Sequence, residues 1–219
     1  TIYDTQDCDR LIASIIKEMG LDKDVYKTKQ VRSRISSYKN SLITVRAYFQ
    51  NPELKEADLM ARRPQMGEIY KRFVDRCFKA GAMDFDDLLL NFYRLLKHFP
   101  DALYKYQNRF KHVLVDEFQD TNTAQYEILK MLVDINHQIT VVGDDAQSIY
   151  AFRGATITNI FNFQKDFPSM HTVKLEQNYR STKNIVKAAN HLIKNNSNQF
   201  EKEIWTSQEA GRPLQVFKT

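Results

Sequence analysis

An α/β fold with a parallel sheet, preceded by a helical region, is the architecture this sequence predicts. Three observations lead there. Two short apolar runs, residues 113–115 and 139–142, end in the acidic pairs Asp116-Glu117 and, after one glycine, Asp144-Asp145. Strands of open α/β sheets deliver polar groups to the sheet edge in this way. Helical periodicity fills the interval between the two runs and resumes after the second, as in βαβ units. Residues 1–83 carry helical periodicity alone.

The first amphipathic segment is Cys8 to Met19, where Leu11, Ile12, Ile15, Ile16 and Met19 recur at helical spacing. Asp7 is placed to cap it and Gly20 to end it. Lys29 to Phe49 reads as one helix, with Val31, Ile35, Tyr38, Leu42, Val45 and Phe49 on one face. Asn51-Pro52 breaks it, and Pro52 suits the first turn of a short helix ending near Leu59. Met66 to Ala80 is helical, with Ile69, Phe73, Val74 and Cys77 inward, and Gly81 closes it. Asp84 starts the helix Phe85 to Phe99, and Pro100 opens another toward Arg109. The cluster Asp84, Asp86 and Asp87 reads as helix N-terminal charge rather than a second metal site.

Val113 to Val115 forms a short apolar run, as a strand buried on both faces would. Thr121 or Thr123 caps the next helix, which buries Ile128, Leu129 and Leu132. Ile139 to Val142 is a second strand, and Val173 and Leu175 suggest a third. Ser181 or Thr182 then caps a helix through Ile185, Val186, Ala189 and Ile193. Residues 195–200, NNSNQF, are mostly polar and read as a loop.

Composition bounds the function. Hydrophobic residues are 42% of 219, enough for a core, and no apolar run approaches the roughly 20 residues of a membrane span. Two cysteines, Cys8 and Cys77, are too few for a disulfide scaffold and read as free thiols in a reducing compartment. The five histidines are scattered and read as structural or surface residues. The net charge of +5 sits entirely in residues 1–83, which hold 16 Lys/Arg against 11 Asp/Glu, while residues 84–219 hold 16 of each. That bias favours phosphate backbones. Arg62, Arg63, Lys71, Arg72, Arg76 and Lys79 are the best candidates for such contacts, with an ordinary solvated helical surface as the alternative.

Three stretches carry chemistry. In HVLVDEFQDTN, residues 112–122, the acidic pair at a strand end suits magnesium binding and water orientation in phosphoryl transfer, or else a plain turn or helix cap. In ITVVGDDAQSIYAFRGA, residues 139–155, Gln147 both donates and accepts hydrogen bonds and could sense a terminal phosphate. The same loop holds Ser148, Tyr150, Phe152 and Arg153. Aromatic faces beside a cation suit single-stranded nucleic acid, or else an aromatic pair buried under a loop. In VKLEQNYRST, residues 173–182, Tyr179 is able to stack on a base and Arg180 to grip phosphate, or else to pair with a carboxylate.

In this order and spacing the three stretches resemble the UvrD/PcrA/Rep family of superfamily 1 DNA helicases. DEFQDTN resembles its motif II (Walker B), GDDAQSIYAFRGA its motif III and LEQNYRST its motif IV. MDFDDLLL, residues 83–90, resembles a segment leading back into the first motor domain. The resemblance implies a RecA-like (P-loop NTPase) parallel sheet, incomplete in this chain, with an inserted helical accessory subdomain. Residues 1–83 would be that subdomain, 84–172 part of the first motor domain, and 173–219 the start of the second.

It also implies ATP and Mg2+ as cofactors and single-stranded and duplex DNA as partners, in a cytoplasmic protein of repair or replication without membrane contact. Asp116 would hold Mg2+, and Glu117 would be the catalytic base. Gln147 would contact the terminal phosphate and couple hydrolysis to DNA. Tyr150 and Phe152 would stack on bases of single-stranded DNA, and Arg153 would link that loop to the hydrolytic site. Tyr179 would stack on adenine, and Arg180 would reach the terminal phosphate across the cleft. Phe152 departs from the family's frequent tryptophan, and Ala146 and Ala151 replace residues that are often larger or more polar.

None of the six glycines opens the phosphate-cradling loop G-x-x-x-x-G-K-[ST]. The expectation is therefore a central fragment of a longer helicase, inactive in isolation, rather than a degenerate homologue. Two other readings compete: a DNA-binding module without turnover, and a metal-dependent nuclease using Asp116, Glu117, Asp120, Asp144 and Asp145. A sheet lacking neighbouring strands leaves open edges, so the chain is expected to self-associate.

Overall fold

A computed structural model describes residues 1–133, 138–148, 158–196, 200, 202–215 and 217. The chain is mixed α/β: seven helices lead to a two-stranded parallel sheet, with further helices after each strand. Helices α1 (Thr5–Glu18), α2 (Thr28–Asn40), α3 (Val45–Gln50), α4 (Pro52–Met60) and α5 (Met66–Lys79) form the first part. Next come α6 (Phe85–His98), α7 (Pro100–Arg109), β1 (His112–Val115), α8 (Thr123–Leu132), β2 (Gln138–Val141), α9 (Thr158–Asp166) and α10 (Lys183–Ile193). Among the described residues no helix is long and apolar enough to cross a membrane.

The apolar stripes of the first region meet as their spacing requires. Ile12, Ile15 and Ile16 of α1 pack with Val31, Ile35 and Tyr38 of α2 and with Met66, Ile69 and Phe73 of α5 in one buried core. Cys8 and Cys77 lie in it as free thiols, and burial raises the Cys8 thiol to about 11 and the Cys77 thiol to about 12. Asp58 is buried too. It accepts hydrogen bonds from the hydroxyls of Tyr38 and Tyr48 and pairs with Arg34 at 3.0 Å, the partners a desolvated carboxylate requires.

Local details differ from the sequence reading. Asp4, not Asp7, caps α1: its carboxylate accepts from the N–H groups of Gln6 and Asp7, and Asp7 accepts back from Asp4 N–H. The predicted helix over 29–49 is two helices. Leu42 takes a left-handed φ of 59°, and Thr44 Oγ1 caps α3 by accepting from Ala47 N–H. That break turns Tyr48 inward and leaves Phe49 exposed.

Asp84 caps α6 reciprocally with Asp87, as expected of N-terminal acids. They have a second role. Lys39, with 0% of its side chain exposed, pairs with Asp84 at 2.8 Å and Asp87 at 2.7 Å and lies 4.9 Å from the Phe73 ring centre. Burial alone would lower the Lys39 pKa; the two carboxylates outweigh it and raise it above 10.5. Next to it, Asn40 donates to Asp86 and accepts from Asn122 Nδ2 at 2.9 Å. Asn122, rather than Thr121 or Thr123, caps α8, in a reciprocal box with Gln125.

β1 and β2 pair in parallel, Val113 opposite Ile139 and Val115 opposite Val141. One face packs on Phe118, Tyr126 and Phe163. The expectation of a strand buried on both faces fails: Leu114, pointing the other way by the two-residue period, is 75% exposed. The third strand is also absent. Among the described residues the bridge of Gln177 with Trp205 is isolated, residues 173–175 are not in a strand, and Leu175 is 80% exposed. Helix α10 starts after Thr182 but buries Val186 alone; Ile185 and Ala189 face outward.

Candidate functional site

The site grows from the carboxyl end of β1. Asp116 and Glu117 leave the strand exposed, and Asp116 Oδ1 accepts from Glu117 N–H at 2.9 Å. Glu117 has φ 49° and ψ 43°, a left-handed conformation uncommon outside glycine, asparagine and aspartate. This turn reverses the chain into a single 3-10 turn, Phe118–Asp120. Phe118 N–H donates to Val142 O at 2.9 Å, and Val142 N–H to Val115 O at 2.8 Å, so the ladder carries on past both strands and holds the two strand ends side by side.

Gln119 fills the junction and is 1% exposed. Its Nε2 donates to Glu117 Oε2 at 2.6 Å, and its Oε1 accepts from Asp144 N–H at 3.0 Å. Gly143 makes room for it: a Cβ there would lie 2.8 Å from Gln119 Oε1. Asp144 Oδ2 in turn accepts from Gln147 Nε2 at 2.7 Å, and Oδ1 accepts from Ala146 N–H at 3.0 Å. Glu117 and Gln147, chosen from separate stretches of sequence, are thus joined through Gln119 and Asp144.

Lys202 closes the other side of the second acidic pair. Its Nζ lies 2.6 Å from Asp144 Oδ1 and also binds Asp145, which accepts from Phe200 N–H at 2.8 Å as well. Partial burial pushes the Asp144 pKa up, but Lys202, Gln147 and the Ala146 N–H together hold it below the usual carboxylate range. Lys202 is raised, its burial outweighed by the two carboxylates.

The motif IV pair sits on a turn of its own. Asn178 Oδ1 accepts from Arg180 N–H at 2.9 Å and Ser181 N–H at 2.7 Å. Tyr179 is 74% exposed, and its hydroxyl donates to Gln177. Arg180 is exposed as well. Among the described residues no hydrogen bond joins Tyr179 or Arg180 to Glu117 or Gln147. Tyr150, Phe152 and Arg153 lie outside the described residues. Of the six basic candidates of the first region, three already have partners: Arg63 with Val25 O and Gln30, Arg72 with Glu68 at 3.1 Å, and Arg76 with Glu18.

Asp116 is placed where it could bind a cation. Its carboxylate is exposed, and Mg2+ is commonly held by one or two carboxylates plus substrate phosphates. In the 3-10 turn that follows, Asp120 Oδ1 is buried without a hydrogen-bond partner among the described residues, so the oxygen chemistry of the turn is not saturated from within. Among the described residues no group of three or more His, Cys, Asp or Glu side chains forms a metal cage. The donor set therefore fits a cation bound together with phosphate.

Gln119, Asn122 and Lys202 escaped the sequence reading. A polar residue between Phe118 and Asp120 gave a faint signal that Gln119 turns inward. Lys202 gave none, because its carboxylates lie 57 and 58 residues away.

Comparison with known proteins supplies the family. Residues 1–168 match the UvrD/REP helicase N-terminal domain, and residues 173–219 match the UvrD-like helicase C-terminal domain. The chain is 43% identical to the ATP-dependent DNA helicase UvrD1 of Mycobacterium tuberculosis, over 96% of this chain and 28% of that protein. It is 41% identical to DNA helicase II of Haemophilus influenzae, covering 99% and 29% respectively. It is 38% identical to the ATP-dependent DNA helicase PcrA of Bacillus subtilis, covering 100% and 29%. The chain thus spans less than a third of the length of these relatives. With its motif turns hydrogen-bonded to one another and one family model spanning most of its residues, the chain belongs to the UvrD/REP helicase family.

Proposed function

We propose that this chain is part of an ATP-dependent DNA helicase that couples ATP hydrolysis to movement along single-stranded DNA and to duplex unwinding. The observation that carries the reading is the hydrogen-bonded path Glu117–Gln119–Asp144–Gln147, which ties the hydrolytic acid to the phosphate-sensing glutamine. On this reading residues 1–83 are a helical accessory subdomain, residues 84–172 part of a first RecA-like motor domain, and residues 173–219 the start of a second. The change of family model between residues 168 and 173 supports that division. The protein works in the cytoplasm, in DNA repair or replication.

Asp116 would hold Mg2+, which would supply positive charge against the transferred phosphoryl group. Gln119 occupies Glu117 Oε2 and leaves Oε1 to orient the attacking water and take its proton. Gln147 contacts the terminal phosphate through its amide. Arg180, exposed beside Tyr179, reaches the same phosphate from the second domain, and Tyr179 offers its ring to adenine. Tyr150 and Phe152 stack on DNA bases, and Arg153 links them to the hydrolytic site. A nuclease reading is weaker, because Lys202 neutralises the Asp144 and Asp145 carboxylates that such chemistry needs.

The test is ATP turnover by the full protein containing this chain, with and without single-stranded DNA, beside Glu117→Gln. DNA-stimulated turnover that falls roughly 100-fold or more in Glu117→Gln is the expected result. A folded, DNA-binding protein without turnover would leave a non-catalytic binding module. Turnover that survives the substitution would remove Glu117 as the base.

A further inference from the structure

We infer that Gln119 is the positioning residue of the hydrolytic site, setting the geometry of Glu117 against that of the Gln147 loop. The inference rests on the function proposed above and adds a component to it. Gln119 touches neither phosphate nor water in that reading; it acts through its two neighbours.

Four observations carry it. Gln119 is almost fully buried, yet both ends of its amide are used. Its orientation is fixed by chemistry: a carboxylate accepts only from the NH2 end, and a backbone N–H donates only to the oxygen end. Glu117 sits in a left-handed conformation that costs a non-glycine residue energy, so outside contacts must hold it there. Gly143 supplies the space, since any larger residue would collide with the Gln119 amide.

A buried amide spanning two loops transmits position. A shift of Gln147 on phosphate binding moves Asp144, whose side chain it donates to and whose backbone N–H is held by Gln119. Gln119 carries that shift to Glu117. Loss of the amide should therefore lower the chemical step while leaving substrate affinity intact, because a small misplacement of a reacting group lowers rate more than binding.

Gln119→Glu separates this role from simple packing. It keeps the volume and the acceptor for Asp144 N–H, but sets carboxylate against carboxylate at Glu117. Gln119→Met keeps the volume and removes both bonds. Each is compared with wild type and Glu117→Gln in the full protein, by kcat, KM for ATP, single-stranded DNA affinity and melting temperature.

The expected result is kcat down roughly 10- to 100-fold in Gln119→Glu, with KM and DNA affinity within about twofold. In the Glu117→Gln background, Gln119→Met should add little further loss, because the two act as a unit. Wild-type kcat in a folded Gln119→Glu, with Glu117→Gln inactive, overturns the inference alone. Losses that multiply in the double variant also overturn it, as does a rise in KM with kcat unchanged. Absent wild-type turnover, or turnover surviving Glu117→Gln, removes the underlying function and the inference with it. Should Gln119→Glu fail to fold, Gly143→Ala displaces the same amide, and the same split between kcat and KM decides.

Discussion

The helical region and the motif-bearing region solve burial differently. Helices α1, α2, α3 and α5 close a core of fourteen buried residues, sealed by Asp58 and its tyrosines. Among the described residues, the sheet region clusters Phe118, Tyr126 and Phe163 under one face and leaves Leu114 in solvent on the other. An amphipathic helix covers its stripe with any neighbouring helix, whereas a strand needs partners on two edges and layers on two faces. The helical region therefore carries most of the packing energy, and the motif turns depend on specific polar bonds.

Three experiments sharpen or break that contrast. The largest effect belongs to Lys39→Met, which leaves Asp84 and Asp87 without their cation. Urea unfolding of this chain should show a loss of about 3–5 kcal/mol; a loss below about 1 kcal/mol would mean the pair is not buried as described. The same pair fixes a pH dependence. The folded pKa of Lys39 lies above its ordinary 10.5, so its contribution is full below that value and fades as pH rises through the folded one. Wild type should lose stability at strongly alkaline pH relative to Lys39→Met.

A middle effect tests the seam between the regions. Asn122→Ala removes the cap of α8 and the bond to Asn40 together, at about 1–2 kcal/mol. Asn40→Ala should cost less in that background than alone, because the two share one hydrogen bond. Strictly additive losses would sever the proposed link.

The smallest effect on stability belongs to Leu114→Lys, within about 0.5 kcal/mol, because the side chain is already in solvent. Its effect on association should be the larger one. Sedimentation of this chain at high concentration should show self-association in wild type and less in Leu114→Lys. A strictly monomeric wild type would break the expectation of sticky sheet surfaces.

This contrast explains what the sequence disclosed. Helix periodicity located α1, α2 and α5, because i, i+3, i+4 spacing is a local signal. It missed the break at Leu42, where a left-handed residue interrupts an unbroken apolar pattern. It read Val113–Val115 as doubly buried, because a run of valine and leucine looks the same whether or not a layer covers its second face. The acidic pairs, Gln147 and the Tyr179-Arg180 turn stood out in the sequence as candidates. Their connection was not: Gln119 bonds backward to Glu117 and forward to residue 144, and no pattern in the chain announces a pairing over that distance.

The placement of contacts along the chain also sets an order in time. The helical core lies wholly between Cys8 and Cys77, while the counter-charges of Lys39 come at Asp84 and Asp87 and the partner of Asn40 only at Asn122. At a synthesis rate of about 5–20 residues per second, Lys39 waits roughly 2–10 seconds for its carboxylates. By then Cys77, the last buried residue of the tyrosine-lined core, has already been added. The acidic motif then docks onto a finished platform, and the two polar contacts beside it act as the latch that records its arrival.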